Sequence, residues 1–297
     1  MNVVNVDVNA DISTDISTDA VCTLHGTDGS VVRIALHGAH VLSWIPAGAS
    51  EHLFLSTRSI HAPGVAIRGG IPVIFPQFAA LGTLPKHGFA RTAMWQQVTP
   101  SPVSGVALAQ DVALFEMRST AATLALWPHA FLAQLRVILS AKTLELELTI
   151  HNTDDKPFLF TAALHTYLRV SQIADVGVQG LRGVYYRDSV TATSGCLEVA
   201  DVLRIKGEVD RIYQQAPALL EVDDTTRRIR IEHQGFVDAV VWNPGEEGGA
   251  KMADMEECGY AHMLCVEGGV IVDPIWLQPG AQWRGSQRLT ALTDHAS

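Results

Sequence analysis

From Ala20 onward the chain is a succession of short runs in which every second residue is apolar, cut by Gly, Asp and Pro. VCTLH (21–25) leads to a turn at Thr27-Asp28-Gly29, and VVRIALHG and HVLSWI follow, which is the pattern of hairpin strands. The clearest case is AQLRVILSAKTLELELTIHNT (133–153). Leu135, Val137 and Leu139 alternate up to a turn at Ala141-Lys142-Thr143, and Leu144, Leu146, Leu148 and Ile150 continue beyond it. Two antiparallel strands with one buried face are expected there. ALFEMRS (113–119) and ATLALW (122–127) precede this stretch, and PFLFTAALHTYLRV (157–170) reads as one apolar, aromatic strand. Between Asp175 and Gly207 the pattern predicts short strands with turns at Gly177, Gly183 and Gly195. ALLEVDDTTRRIRIEHQG (218–235) predicts a hairpin turning at Asp223-Asp224-Thr225, with Arg228 and Arg230 on one solvated face. Val240 to Pro244 ends a buried strand, Ala250 to Glu256 suits one or two helical turns, and Pro279-Gly280 leads into a final edge strand.

No long helical period and no βαβ alternation interrupts this series. An all-β chain is expected, a large antiparallel β-sandwich with a few short helical turns. The expected division is a variable or mobile leader at 1–19 and one β-sandwich catalytic domain at 20–297. The leader holds a small duplication, Asp11-Ile-Ser-Thr then Asp15-Ile-Ser-Thr, too short to make a repeat architecture.

Composition narrows the function classes. The 297 residues are 47% hydrophobic and 18% charged, enough apolar residues for a large core. The net charge of −10, with no stretch that concentrates Lys and Arg, argues against nucleic acid as a partner. A few local arginines can still bind an anionic metabolite, because the field within a pocket outweighs the net charge. Cys22, Cys196, Cys258 and Cys265 are scattered without CxxC spacing and read as reduced, mostly buried thiols. No basic region precedes an apolar stretch at the start and no apolar run spans a bilayer, so a cytoplasmic protein is expected, with no membrane partner.

Five places carry candidate chemistry. In RGGIPVIFPQFAALGTLPKHGFARTAMW (68–95), glycines and prolines forbid a regular helix or central strand. Arg68 and Arg91 there each offer a fork of donors to an anion, Lys86 a point charge and His87 a titratable ring. His37 and His40 are spaced to meet a metal on a helix, but on a strand they point to opposite faces, so no metal is expected. His165, within an apolar strand, is by itself either a hydrogen-bonded core histidine or a catalyst. Glu267 in MLCVEGG (263–269) is costly to bury unpaired, and burial raises a carboxyl toward the range of a general base. A functional carboxylate and a buried ion pair both remain open. Asp210 is either a site residue or a turn residue paired with Arg211 on the surface.

Several of these stretches together resemble the D-hexose-6-phosphate mutarotase (glucose-6-phosphate 1-epimerase) family, within the aldose 1-epimerase group. The matching pieces are Arg68-Gly69-Gly70-Ile71-Pro72-Val73, Phe75-Pro76-Gln77-Phe78, Leu84-Pro85-Lys86-His87-Gly88-Phe89-Ala90-Arg91 and Trp95. HGAxVLSW (37–44), Leu164-His165-Thr166-Tyr167, Gly207-Glu208-Val209-Asp210-Arg211-Ile212-Tyr213 and Cys265-Val266-Glu267 extend the match to most of residues 30–290. Ala79 departs from a common glycine, and Gly245 stands where the family often has Trp. The resemblance implies a galactose mutarotase-like β-sandwich that interconverts α and β anomers of a hexose 6-phosphate, chiefly D-glucose 6-phosphate, without a cofactor. It assigns His165 as the acid and Glu267 as the base. Arg68 and Arg91, helped by Lys86, would clamp the phosphate, while Gln77, His87 and Asp210 line the sugar site. A monomer acting on a small phosphosugar is expected. The competing classes are a non-catalytic carbohydrate-binding or regulatory protein on the same fold, and a glycoside hydrolase or lyase using Asp210 as a second carboxylate.

Overall fold

The computed structural model describes residues 20–99 and 111–292; the duplicated leader segment lies outside them. Their strands form three antiparallel sheets. Val21–His25, Val31–Ala35 and His40–Ile45 make a small three-stranded sheet that packs into the main core through Val32, Ile34 and Trp44. The back sheet has nine strands, in the order Val202–Arg204, Gly177–Gln179, Leu219–Asp223, Arg228–Gln234, Gln282–Leu292, Thr143–Asn152, Phe131–Ser140, Val112–Arg118 and Gln96–Val98. The front sheet has eight. Seven run in the order Thr193–Leu197, Tyr185–Asp188, Val209–Tyr213, Asp238–Asn243, Met263–Leu277, Phe158–Leu164 and Val73–Ile74, and Tyr167–Arg169 also pairs with Met263–Leu277. This is the β-sandwich that the alternation predicts.

The strongest period gives the most regular pair. Phe131–Ser140 and Thr143–Asn152 register from Phe131 opposite Asn152 to Ser140 opposite Thr143, so the hairpin turns on two residues, Ala141 and Lys142. Leu135, Val137, Leu139, Leu144, Leu146, Leu148 and Ile150 all enter the core between the sheets. The front sheet faces them with Phe158, Phe160, Ala162, Leu164, Ala239, Val241, Val266 and Val270. Period two then sends the intervening residues of these strands to the other side of the sheet. There Ala163, Ile212, Val240 and Ile271 cluster with Ile74 and Phe78, and Tyr167, Met263 and Cys265 with Phe54 and Met255.

Local expectations are corrected at three places, and one further segment is a helix. The final strand, Gln282–Leu292, is central rather than an edge, flanked by Arg228–Gln234 and Thr143–Asn152. Its charged positions Arg284 and Arg288 face outward and pair with Glu147 and Glu145, which disguises a strand whose other face is buried. ATLALW belongs to a helix, Ala121–Leu126, because Thr120 and Thr123 form a reciprocal capping box at its start. The second helix is Gly245–Ala250 rather than 250–256. Glu246 and Glu247 in its first turn suit the helix dipole and offset three poor helix-forming glycines. Gly177 lies within a strand instead of a turn.

Candidate active site

The site sits on the outer face of the front sheet. Leu164 is opposite Gly268, and Tyr167 is opposite Cys265. The same register carried across the short gap between them sets His165 opposite Glu267 and Thr166 opposite Val266. Cross-strand partners share a face and lie within side-chain reach, and His165 Nε2 is 3.3 Å from Glu267 Oε1. Both are buried, His165 at 7% exposed and Glu267 at 1%. The neighbouring row is Tyr167, Cys265, Trp242 and Asp210, from the pairings Tyr167–Cys265, Trp242–Cys265 and Asp210–Trp242. Asp210 therefore shares the face of Glu267. Its neighbour Arg211 points away and pairs with Glu198 and Asp188 at 3.0 and 3.6 Å, so the surface Asp210–Arg211 pair does not form.

Aromatic rings fix the imidazole. Tyr167 stacks on His165 with centroids 4.8 Å apart and planes 13° from parallel, and Trp242 and His87 meet it edge-on at 5.9 and 5.5 Å. Tyr167 and Trp242 were not among the sequence candidates. In an extended chain an aromatic two residues from His165 lies on its face, and that alternation was the available signal.

The segment 68–91 folds over this face. Gly70 has φ +61°, and a Cβ there would lie 2.2 Å from the Val41 carbonyl, so only glycine lets the Arg68 loop approach the sheet. His40, fully buried, bonds the Gly69 carbonyl through Nε2 at 2.7 Å, and burial pushes its pKa down to about 3. His37 bonds the Thr92 carbonyl instead, so the two histidines serve separate backbone contacts. Among the described residues no group of three or more His, Cys, Asp or Glu is arranged to hold a metal.

The two arginines differ. Arg68 Nε and Nη2 bind Asp254 at 3.2 and 3.1 Å, and Nη1 donates to the Tyr167 hydroxyl at 2.9 Å. Burial opposes the Arg68 charge, but Tyr167 and Asp254 outweigh it and raise its pKa. Arg91 makes one bond, from Nη2 to the Lys86 carbonyl at 3.0 Å, and its buried Nε has no partner. Burial, then the nearby Arg68 charge, lowers its pKa, against Tyr167 and Glu267. Lys86 is exposed, within electrostatic range of His87 and Asp210.

His87 Nδ1 accepts the Ala79 N–H at 3.3 Å, which leaves Nε2 as the protonated nitrogen. Burial and the charges of Arg91, Lys86 and Arg68 hold it neutral, with a pKa of about 3. Ala79 takes φ +47°, a backbone conformation that glycine would adopt more readily. Gly245, the other departure, has φ +64°, and a Cβ there would lie 2.7 Å from the Glu208 nitrogen. Gln77 is turned to the loop itself: its amide donates to the Ala79 and Leu84 carbonyls and accepts the Leu84 N–H.

Electrostatics correct one expectation. The acid role that the resemblance implies for His165 calls for a protonated ring, which nearby carboxylates would favour. Desolvation, then His87, Arg91 and Arg68, instead holds its pKa well below the ordinary value. Glu267 is held well above its ordinary value by desolvation and by Asp210, with Arg91 opposing. Asp210 itself is raised by burial. Burial thus works against charge on both members of the pair. Glu267 Oε2 and His165 Nδ1 have no hydrogen-bond partner among the described residues. All four cysteines are free; Cys22 and Cys265 are buried, Cys196 is half-buried and Cys258 exposed. No helix among the described residues is long and apolar enough to cross a membrane.

Known proteins share this chain's sequence and fold. The family profile described as aldose 1-epimerase matches residues 20–290. A Cenchrus ciliaris protein provisionally named glucose-6-phosphate 1-epimerase is 38% identical over 278 residues, which is 91% of this chain and 84% of that one. An Escherichia coli protein of the same provisional name is 39% identical over 240 residues, 78% of this chain and 77% of its own length. Among solved structures, a provisionally named mutarotase from Salmonella typhimurium matches with a TM-score of 0.81 at 32% identity, over 92% of this chain and 90% of that chain. A galactose mutarotase related enzyme from Lactobacillus acidophilus, 15% identical, shares the fold at a TM-score of 0.72, over 92% of this chain and 97% of the other.

Proposed function

The chain belongs to the aldose 1-epimerase family, and from that premise we propose that it interconverts the α and β anomers of hexose 6-phosphates, chiefly D-glucose 6-phosphate. The observation that carries this reading is the buried cross-strand contact of His165 with Glu267, 3.3 Å apart beneath two arginines. Anomer exchange needs one base and one acid that act together on neighbouring oxygens, and no redox partner. Glu267 as carboxylate takes the proton from the anomeric hydroxyl. The C1–O5 bond breaks with its electron pair going to O5, and the imidazolium of His165 protonates O5. Rotation about C1–C2 turns the aldehyde, and the reverse transfers close the ring on its other face.

The active arrangement needs a charged Glu267 and a charged His165, and burial opposes both charges. A phosphate dianion near Arg68 and Arg91 would offset the positive field that opposes a charged His165. Binding of the phosphosugar would thus favour the imidazolium needed for catalysis. Arg91 is the better placed anion donor, since Arg68 already serves Asp254 and Tyr167. Lys86 adds charge at the rim, and His87 offers its Nε2–H to a sugar hydroxyl. Asp210 raises the basicity of Glu267, and Gln77 shapes the loop that carries His87. We further propose that the protein acts as a monomer in the cytoplasm.

The test is to add the protein to anomerically pure α-D-glucose 6-phosphate and follow the anomeric proton NMR signals toward equilibrium. Equilibration faster than the uncatalysed rate, with no phosphate or hydrolysis product released, is expected. An unchanged rate sinks the proposal, and a hydrolysis product would favour the second-carboxylate alternative.

A further inference from the structure

Between the two sheets lies a group of buried polar side chains that the proton transfers leave unused. Gln287 lies on the central strand Gln282–Leu292 of the back sheet and is fully buried. Its Oε1 accepts the Thr166 hydroxyl, and its Nε2 donates to the Val266 carbonyl at 3.2 Å and to His233 Nε2 at 2.9 Å. Every hydrogen-bonding atom of the amide is thus used, and the opposite orientation would set its oxygen against the Val266 carbonyl. His233, also buried, accepts at Nε2 and so carries its proton on Nδ1.

The partners of Gln287 flank the proton-transfer pair. Thr166 follows His165, and Val266 precedes Glu267. On the far side of Glu267, the His233 ring packs so closely on Gly268 that a Cβ there would fall 2.7 Å from it. The back sheet therefore holds the two front strands at the residues next to the acid and the base. The strand breaks here: His165 and Thr166 lie in the gap between Phe158–Leu164 and Tyr167–Arg169, crossed by the backbone bond from the Val266 N–H to the Thr166 carbonyl at 3.1 Å. A polar trio within an otherwise apolar core is a poor choice for stability alone, since aliphatic side chains of similar volume would fill the space without desolvating polar groups.

We infer that Gln287, with Thr166 and His233, is a positioning device that fixes the spacing of His165 and Glu267 across the interior of the sandwich. It rests on the proton-transfer roles proposed above. These residues touch no substrate; they act through the two strands.

The test compares Thr166→Val, Thr166→Ser and Gln287→Leu, measuring kcat and KM on anomerically pure α-D-glucose 6-phosphate per folded molecule. Thr166→Val is nearly isosteric and removes the hydroxyl alone; Thr166→Ser restores it. A misplacement of catalytic groups costs kcat, so Thr166→Val and Gln287→Leu are expected to lose about 10- to 100-fold in kcat, with KM little changed. Thr166→Ser should stay near wild type. If Thr166→Val keeps wild-type kcat per folded molecule, or loses only through KM, the inference is overturned, whatever happens to the folding of Gln287→Leu. If the wild type itself fails to interconvert anomers, the epimerase proposal falls. Positioning is then read from the His165 ring signals in NMR, and an unchanged signal in Thr166→Val overturns it.

Discussion

The two faces of the eight-stranded sheet come from the same alternating strands and do opposite work. The inner face, with Phe158, Phe160, Ala162, Leu164, Val241, Val266 and Val270, disappears into the main core. The outer face is also buried, but under a loop and in two small clusters with His165 and Glu267 between them. Burial on the inner face contributes stability through apolar area removed from water. On the outer face it desolvates two ionisable groups, lowering one pKa and raising the other. A sheet with one wet face would leave both groups near their ordinary values. The loop over the outer face is what turns a cross-strand pair into chemistry.

Substitutions on the two faces should separate these effects. The largest change in activity is expected for Glu267→Gln and His165→Ala, each losing about two to four orders of magnitude in the rate of anomer interconversion. Melting should show Glu267→Gln at or above wild-type stability, since the amide cannot ionise, whereas burial and Asp210 oppose the charge of Glu267. Near-normal turnover in either variant would take the proton transfers away from this pair.

On the inner face, Phe160→Ala should do the reverse. It should lose about 3–5 kcal/mol in urea unfolding and keep its activity per folded molecule. A loss of kcat in the folded fraction would mean that the two faces are not separable at this position.

The loop gives a finer division. Arg91→Ala should lower kcat/KM for glucose 6-phosphate by about 10- to 100-fold, the loss of a charge-assisted bond or two, with free glucose little affected. Arg68→Ala should affect both sugars, because it also frees Tyr167, on which His165 stacks. Equal losses on both sugars for Arg91→Ala would remove the phosphate role.

The smallest effect is on stability against pH. His40 and His87, with pKa values of about 3, and His233, at about 4, are held neutral by burial, as is His165. The unfolded chain takes up their protons below about pH 6.5, so the stability they contribute is present above that pH and lost as pH falls toward the folded values. Glu267 has the opposite sign: its raised pKa contributes stability below about pH 4.3, which is lost as pH rises toward the folded value. Urea unfolding between pH 7 and 4 should therefore show stability falling with acid, with His40→Gln and His87→Gln flattening the slope. A slope unchanged in both variants would contradict the neutral assignment.

Much of this was legible in the chain. Strict alternation in residues 133–153 specified a hairpin because a period-two pattern has only one face to bury. Gly-Gly after Arg68 marked a backbone that comes too close to the sheet for any Cβ. His165 and Glu267 stood out as polar residues in apolar strands. The sequence could not show that one register sets them opposite each other, since they lie a hundred residues apart and pairing is a property of the assembled sheet. Nor could it separate Arg68 from Arg91, whose difference is made by Asp254 and Tyr167 arriving from distant segments. The terminal strand was misread as an edge because its outward arginines are satisfied only by glutamates of the neighbouring strand. Local pattern determined which residues turn inward. Only the tertiary structure decided which of them meet, because the contacts that shift a pKa or hold a strand run across the sheets rather than along the chain.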